Sequence, residues 1–239
     1  MDYDLKLYKT FFVLSIKPDV YSNLILDSSR HHVLEEEKKK IIISHKMIEE
    51  DILQFKILWE TTKEIKTETL NIYGEIDTNV KEIKEVNQSL VWLYKNDYDF
   101  PFVFVFTQKS SSLRDIQRIL LSYLGIITSN ISFTNEFFQS IIKSNIINKV
   151  QSASYQSNKT NLSSFTISGN NISLSDIFDN ANKENNNITE ITLIIKNLNK
   201  VKIYKNSKIT IYNSPSIYDV LDTISELKYL LLEGRYSLE

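Results

Sequence analysis

The sequence has no cysteine and very little glycine among its 239 residues. The lack of cysteine excludes disulfides, thiolate metal sites and cysteine nucleophiles. Average proteins contain about 7% glycine, whereas this chain has four glycines, no two of them within 40 positions of one another. Phosphate loops of the P-loop, dinucleotide and kinase types, and the nucleophile elbow of hydrolases, need glycines close together and are therefore excluded.

Histidine is almost as scarce, and occurs only at His31, His32 and His45. Neighbouring side chains point apart on a helix or a strand, so the adjacent pair does not form a natural chelate. No histidine follows position 45 to act as a base for the serines of the second half. The sequence therefore predicts no metal centre, no cofactor and no serine triad.

Long apolar runs are also missing. No run approaches the roughly 20 residues of a membrane span, and the run at residues 11–16 is shorter than a signal-peptide core. The net charge of −2 indicates no bulk attraction to nucleic acid or membrane. We therefore expect a soluble, cytoplasmic protein without a membrane partner. Its wealth of Ile, Lys, Asn and Tyr is typical of an AT-rich genome, which weakens any argument from lysine or asparagine content.

Charge is divided unevenly along the chain. Residues 1–99 carry 14 Lys and Arg against 19 Asp and Glu, whereas residues 100–239 carry 14 against 11. A turn-forming stretch with a proline, NDYDFP, lies at the junction. We predict a boundary near Asp97, with an acidic α+β lobe at 1–97 and a slightly basic α/β lobe at 98–239, which includes Asn- and Ser-rich loops at 151–187.

The apolar patterns that are present are typical of an α+β fold with two lobes. We expect mixed or antiparallel sheets with flanking helices, an α/β-like middle segment, and a C-terminal β-hairpin followed by a helix. Strands are predicted at residues 5–16, around 41, and at 54–62, 68–76, 102–106 and 191–196, with the hairpin at 201–212. Helices are predicted at 79–95, from about 112 to a cap at Gly125, at 135–149 after a Thr134 cap, and from Ser214 and Pro215 to Gly234.

A polar loop separates the apolar strand at 102–106 from the helix that follows it. Free backbone N–H groups at a helix N-terminus attract anions. The side chains that could assist are basic or carry hydroxyls: Lys109, Ser110, Ser111, Ser112, Arg114 and Arg118. The alternative is a capping box between Ser112 and Asp115, with the aspartate at the positive end of the helix. In that case the segment is scaffold.

The predicted hairpin at 201–212 interleaves lysine with tyrosine. Its candidate contacts are Lys202, Tyr204, Lys205 and Lys208. Such side chains could neutralise phosphates and stack on bases, which would make this surface a nucleic-acid-binding module. The alternative is a solvated hairpin whose lysines discourage edge-to-edge pairing.

An acid–acid–lysine set could hold Mg²⁺ and orient a water molecule for phosphodiester hydrolysis. Glu64 and Lys66 form an E-x-K triplet, and Asp51 lies upstream at a distance that two sheet strands could bridge. Glu82 and Lys84 form a second such triplet on a predicted helix. Because chance alone produces the triplet in a chain rich in Lys and Glu, a Mg-dependent nuclease is kept only as an alternative.

Aromatic side chains concentrate near the proposed boundary: Trp59, Trp92, Tyr94, Tyr98 and Phe100. Core packing accounts for such a cluster, whereas any exposed part of it would resemble a protein-binding hot spot. Because catalytic patterns are missing, we expect a non-enzymatic binding or regulatory protein that acts through protein–protein interaction or self-association. A nucleic-acid-binding module in the basic half and the nuclease are the alternatives.

Overall fold

The structure is a computed structural model that describes residues 7–17, 31–36, 39–94, 100–107, 109–157, 163–184, 186–195, 199–212, 216–233 and 236–238. Within these ranges it has thirteen strands and four α-helices. The strands are β1 (Thr10–Ile16), β2 (His31–Glu36), β3 (Lys39–Met47), β4 (Ile52–Leu70), β5 (Ile76–Tyr94), β6 (Phe102–Phe106), β7 (Thr128–Phe133), β8 (Ile147–Gln156), β9 (Ser164–Ser168), β10 (Asn187–Ile195), β11 (Lys200–Tyr204), β12 (Lys208–Ile211) and β13 (Tyr236–Leu238). The helices are α1 (Ser111–Leu124), α2 (Asn135–Lys143), α3 (Asp176–Lys183) and α4 (Ile217–Glu233).

Eleven of these strands form one continuous antiparallel sheet in the order β2-β3-β4-β5-β6-β1-β12-β11-β10-β8-β9. β7 branches from this path, because it pairs with the second half of β1 and in turn with β13. The predicted α+β class is confirmed, with antiparallel sheet as its dominant element.

β1 lies near the middle of the sheet although it is the first strand in the chain. It pairs with β6 on one side and with β12 and β7 on the other. Strands from before and after residue 97 therefore share one sheet. The proposed boundary falls within residues 95–99, outside the described residues, and the division into lobes at 1–97 and 98–239 stays a prediction. β6 and β7 flank β1 and run in the same direction, so α1 between them makes a strand–helix–strand crossover.

Helices cover both faces of the sheet and bury its core. α2, α3 and α4 pack on one face, against a cluster that includes Trp92 and Phe104. α1 packs on the other face, where Ile119 contributes to a cluster with Phe55 and Val105. All five side chains of β6 are buried between these layers, which confirms the expectation from its continuous apolar sequence.

The predicted helix at 79–95 is wrong, because residues 79–94 belong to β5, while residue 95 lies outside the described residues. Apolar side chains recur at Val80, Ile83 and Val86 with the spacing of three that is typical of a helix. In a strand, that spacing alternates between the two faces, and all three side chains are exposed. The predicted strand at 68–76 is wrong in part, since residues 71–75 form the turn between β4 and β5.

Other elements agree more closely with the sequence. The hairpin at 201–212 is confirmed as β11 and β12, and α1 ends at Gly125, whose φ of 65° is left-handed as predicted. α2 begins after a Thr134 cap, as predicted, but ends at Lys143 because Ile147 already pairs in β8. The segment predicted as loops at 151–187 contains, in its described part, the end of β8, all of β9 and α3, and the start of β10.

The last helix, α4, buries the apolar stripe that its sequence indicates: Val220, Leu221, Ile224, Leu227 and Leu231. It begins at Ile217, with a reciprocal pair of hydrogen bonds between Ser216 and Asp219 at its N-terminus. Ser214, Pro215 and Gly234, which were expected to bound this helix, lie outside the described residues.

Candidate functional site

A long hairpin arm is the most prominent feature of the surface. β4 and β5 pair continuously over 19 residues each, and end with Leu70 opposite Ile76. Their outer neighbours stop much earlier, because β3 pairs only as far as Trp59 and β6 only as far as Leu90. We call residues 60–86 the arm. At about 3.4 Å per residue, it extends about 35 Å beyond the last pairing with β3.

Both faces of the arm are open to solvent. The nine outermost residues of each strand, 62–70 and 76–84, are all exposed. A two-stranded ribbon without a core is only marginally stable in water, and its edges present backbone groups that can pair with another chain. The outer part of the arm therefore adds little burial to the core of the protein.

Asn71 holds the turn at the end of the arm. Its side-chain Oδ1 accepts hydrogen bonds from the N–H groups of Tyr73 at 3.0 Å and Glu75 at 2.9 Å, and its carbonyl accepts one from the N–H of Gly74 at 3.0 Å. Gly74 has a φ of +80°, a conformation that costs other residues about 1–2 kcal/mol. These hydrogen bonds give the turn a defined backbone shape within the isolated chain.

The tip of the arm is apolar although it is highly exposed. It presents four large apolar side chains that are 64–92% exposed: Leu70, Ile72, Tyr73 and Ile76. The charged residues between positions 68 and 77 are all acidic: Glu68, Glu75 and Asp77. The tip is thus a small apolar surface with a negatively charged rim.

Polar contacts link the two strands in the rest of the arm, which we call the shaft. Lys63 pairs with Glu85 at 2.9 Å, and Lys84 pairs with Glu60 at 3.4 Å. The hydrogen bond from the Lys63 amine holds the pKa of the Glu85 carboxyl below its ordinary value. Exposed ion pairs of this kind contribute little to stability because solvent screens them, so the contacts link the two strands without strongly stabilising them.

The parts of β4 and β5 that lead into the arm are anchored in the core. Gln54 of β4 is buried, and its Oε1 accepts hydrogen bonds from the indole N–H of Trp92 at 2.9 Å and from the hydroxyl of Tyr8 at 3.2 Å. The aromatic residues near the proposed boundary are also buried: Trp59, Trp92, Tyr94 and Phe100. They therefore pack the core and form no exposed hot spot, while Tyr98 lies outside the described residues.

The residues of the proposed nuclease set do not come together. Asp51 directly precedes β4, whereas Glu64 and Lys66 lie on its exposed outer half. An extended strand of this length separates the two acids by about 40 Å. They cannot share a metal ion within one chain, and the described residues contain no group of three or more acidic or histidine side chains that could hold one.

The predicted anion loop has a different geometry from the one its sequence indicated. α1 begins at Ser111, and its N-cap, Ser110, makes no side-chain capping hydrogen bond. Ser112 is inside the helix and buried, and Asp115 lies beyond the first turn, so the predicted capping box is wrong. The other candidates are exposed: Lys109, Ser110, Ser111, Arg114 and Arg118. A helix N-terminus with exposed neighbours does not by itself define an anion site.

The hairpin candidates lie on the open side of β11 and β12. The inward positions are filled by apolar side chains, as predicted: Val201, Ile203, Ile209 and Ile211. Lys202, Tyr204 and Lys208 occupy the opposite face and are half-buried, whereas Lys205 is exposed in the turn. The turn itself packs against β7, since the carbonyl of Lys205 accepts a hydrogen bond from the N–H of Phe133 at 2.8 Å.

The three histidines are spread over two neighbouring strands. His31 and His32 lie on β2, where only the backbone is described, and His45 lies on β3. The ring of His45 is half-buried beside that of Phe55, with 6.4 Å between the ring centroids. This position is that of a packing residue at the sheet surface.

A polar cleft of about 680 Å³ lies between α2 and α3. The charged side chains that line it are balanced in sign: Glu136, Lys143, Asp179 and Lys183. Asn135, which also lines the cleft, contacts the start of β10, because its Oδ1 accepts a hydrogen bond from the N–H of Ile188 at 2.9 Å. The cleft therefore favours neither anionic nor cationic ligands.

Neither a protein-family model nor a curated protein matches this chain. Across the described ranges, no helix is long and apolar enough to cross a bilayer. The arm, whose tip residues were not predicted as a site, is therefore identified from its own geometry. The signal available in the sequence was the turn-forming stretch from Asn71 to Gly74 between two polar segments that contain threonine, valine and isoleucine.

Proposed function

We propose that this protein is a non-enzymatic binding protein, which regulates or assembles with another protein through the tip of its arm. The observation that carries this proposal is the exposure of four large apolar side chains at the end of a ribbon about 35 Å long. Exposed apolar patches with polar rims are typical of protein interaction sites.

The side chains of the tip indicate what kind of pocket a partner needs. Leucine, isoleucine and tyrosine side chains require an apolar pocket, and the three acids around them favour lysine or arginine at the rim of that pocket. Tyr73 is 82% exposed and is the natural anchor, since buried aromatic side chains dominate interface energetics. An anionic bilayer would repel the same acids, so a protein pocket fits the tip better than a membrane surface.

The backbone of the turn is also preorganised for binding. Because Asn71 and Gly74 already fix its backbone, less conformational entropy is lost when a partner closes around the tip. The shaft carries the tip away from the body, so a pocket in a recess of a larger protein remains within reach.

Site-specific photocrosslinking tests the proposal. Tyr73 is replaced by the photoreactive benzoylphenylalanine in the full chain, and Tyr218 on α4, which is 74% exposed, receives the same replacement as a control. We expect one dominant crosslinked protein from position 73 in the native source, and none of that protein from position 218. Crosslinking of the same proteins from both positions would contradict the proposal, and a product of two copies of this chain would replace it with self-association.

The affinity of the identified partner then provides a second test. Ile72→Ser with Tyr73→Ser should weaken binding by a hundredfold or more, because each hot-spot side chain contributes about 2 kcal/mol or more. Leu174→Ser with Ile177→Ser removes two other apolar side chains, which are 83% and 69% exposed around α3, and should leave the affinity unchanged. Equal affinities for the two double variants would refute the assignment of the tip.

A further inference from the structure

A second surface, on the sheet, differs from the arm in both shape and charge. Lys208 of β12 is directly opposite Phe12 of β1, so these two side chains lie on the same face of the sheet. Leu14, two residues further along β1, lies on that face as well and packs beneath α1. The outer face of β10, β11 and β12 is therefore on the α1 side of the sheet. The cluster beneath α1 contains no residue of β8–β12 among those the structure describes. We call this outer face of β10–β12, with the hairpin turn, the Lys–Tyr face.

Lysine and tyrosine side chains contact one another across this face. The amine of Lys200 lies 5.2 Å from the ring centroid of Tyr212. The amines of Lys202 and Lys208 lie 4.9 and 5.2 Å from the ring centroid of Tyr204. Cation–π contacts of this kind orient flexible amines at a surface, so three amines and two rings form one ordered platform.

The platform carries a net positive charge. Lys202 pairs with Glu190 at 2.7 Å, whereas Lys200, Lys205 and Lys208 form no ion pair with a carboxylate in the described part of the chain. Four lysines and one glutamate leave a charge of +3 on this face, since 4 − 1 = 3. The amines of Lys200, Lys205 and Lys208 are therefore available to contact a polyanion.

A cleft of about 440 Å³ opens on the same face. Hydroxyl groups line it together with the basic and aromatic side chains: Ser152, Ser168, Thr192, Lys200, Lys202 and Tyr212. Hydroxyls and amines are the groups that contact phosphate oxygens in nucleic-acid complexes. Proteins that bind single strands combine such a basic surface with aromatic side chains on which bases stack.

We infer that the Lys–Tyr face binds single-stranded nucleic acid. The lysines neutralise phosphates. A base that stacks on the ring of Tyr204 or Tyr212 displaces a lysine amine from that ring towards the phosphates of the bound strand. An open sheet face suits an unpaired strand, because splayed bases can lie flat against it. This site is separate from the arm and does not depend on the function proposed for the arm.

Fluorescence anisotropy with a labelled oligothymidine of about 20 nucleotides tests the inference. Three free amines predict a slope of log K against log salt of about −2, because each phosphate contact on a single strand contributes about −0.7. The affinity should therefore fall about 15-fold between 50 and 200 mM salt. Lys200→Gln with Lys208→Gln should reduce that slope to about −0.7, since one of the three amines remains.

Matched variants separate this site from general charge. Arg114→Gln with Arg118→Gln removes the same charge from exposed positions of α1, on the same side of the sheet, and should leave binding unchanged. Tyr204→Leu with Tyr212→Leu should weaken binding at least fivefold at fixed salt, the lower limit for loss of one base stack. The arm variant Ile72→Ser with Tyr73→Ser should bind the oligonucleotide normally, so the two proposals fail independently.

Three results would overturn the inference. The first is no binding of the oligonucleotide at low salt by a chain that circular dichroism shows to be folded. The second is equal weakening by the α1 arginine variant, which would show attraction by overall charge. The third is loss of binding in the lysine variant with none in the tyrosine variant, which would identify a surface for any polyanion.

Discussion

Replacing Gly74 with alanine tests whether the arm is energetically independent of the body. Gly74 has a φ of +80°, and an added Cβ would meet no atom within 4 Å, so the substitution introduces backbone strain alone. That strain costs about 1–2 kcal/mol for an L-residue. Because the turn closes only the exposed ribbon, the cost should appear as easier local opening of the arm, with no change in global unfolding.

Gly125 provides a matched control within the body. It ends α1 with a φ of +65° and also has open space where a Cβ would stand. α1 buries Ile116, Ile119 and Leu120, so the same strain there should lower the stability of the whole sheet domain. A loss of about 1–2 kcal/mol corresponds to a fall of about 2–8 °C in melting temperature for a chain of this size.

Hydrogen exchange and thermal unfolding distinguish the two effects. Since 1.4 kcal/mol is tenfold in an equilibrium constant, Gly74→Ala should accelerate exchange in peptides from 62–84 about five- to thirtyfold without lowering the melting temperature. Gly125→Ala should lower the melting temperature and leave exchange in the arm unchanged. Arm amides that exchange as slowly as those of β6 in the unsubstituted protein, or equal falls in melting temperature, would show that the arm belongs to the cooperative core.

Two further substitutions test the core and the last helix. Gln54→Leu removes the acceptor that the Trp92 indole and the Tyr8 hydroxyl share, and should lower the free energy of unfolding in urea by about 1–3 kcal/mol or more; an unchanged urea midpoint would contradict this. Asp219→Asn should destabilise the protein at neutral pH, because hydrogen bonds from the Ser216 hydroxyl and N–H hold the pKa of Asp219 below its ordinary value. That contribution is present above the unfolded pKa of about 3.9 and is lost as pH falls through the lower folded pKa, so the two melting temperatures should converge at acidic pH.

The elements that could be predicted from sequence are those whose burial leaves a local pattern. β6 reads FVFVF because both of its faces are buried, and the hairpin at 201–212 alternates because only one of its faces is. α1 carries an apolar stripe and ends at Gly125, which supplies the left-handed cap. In each case the core determines which side chains are apolar, and the period of that pattern identifies the element.

The arm could not be predicted in this way because it has no core to mark its faces. Val80, Ile83 and Val86 are exposed on both sides of β5, so their spacing has no relation to burial and matched a helix by coincidence. The spacing of E-x-K at Glu64 and Lys66 was equally uninformative, since it lies on the same exposed ribbon. The period of apolar residues in a sequence reflects which side chains are buried. A ribbon exposed on both faces buries no side chains, so its sequence carries no such period.

Capping shows the same dependence on context. The pattern S-x-x-D occurs at the start of both α1 and α4, as Ser112 with Asp115 and as Ser216 with Asp219. Only the second of these forms a reciprocal cap, with Asp219 accepting from the N–H of Ser216 at 2.8 Å and donating its own N–H to the serine hydroxyl at 3.2 Å. At the first, the chain already enters α1 at Ser111, so the serine is buried within the helix. Whether the serine caps the helix or lies inside it depends on the residue at which the helix begins. The sheet, rather than the S-x-x-D pattern, determines that residue.

The two proposed surfaces differ in how closely they are tied to stability. The lysines and tyrosines on the strands of the Lys–Tyr face alternate with inward residues such as Ile203 and Ile209, which are fully or almost fully buried, so the backbone of these strands is held by the core. The arm has no such inward positions beyond residue 60, so substitutions there should affect folding little. Four exposed apolar side chains on such a segment contribute little to stability and are typical of a contact surface. The contact that we propose at the tip would account for them, and the serine variants at Ile72 and Tyr73 test it directly.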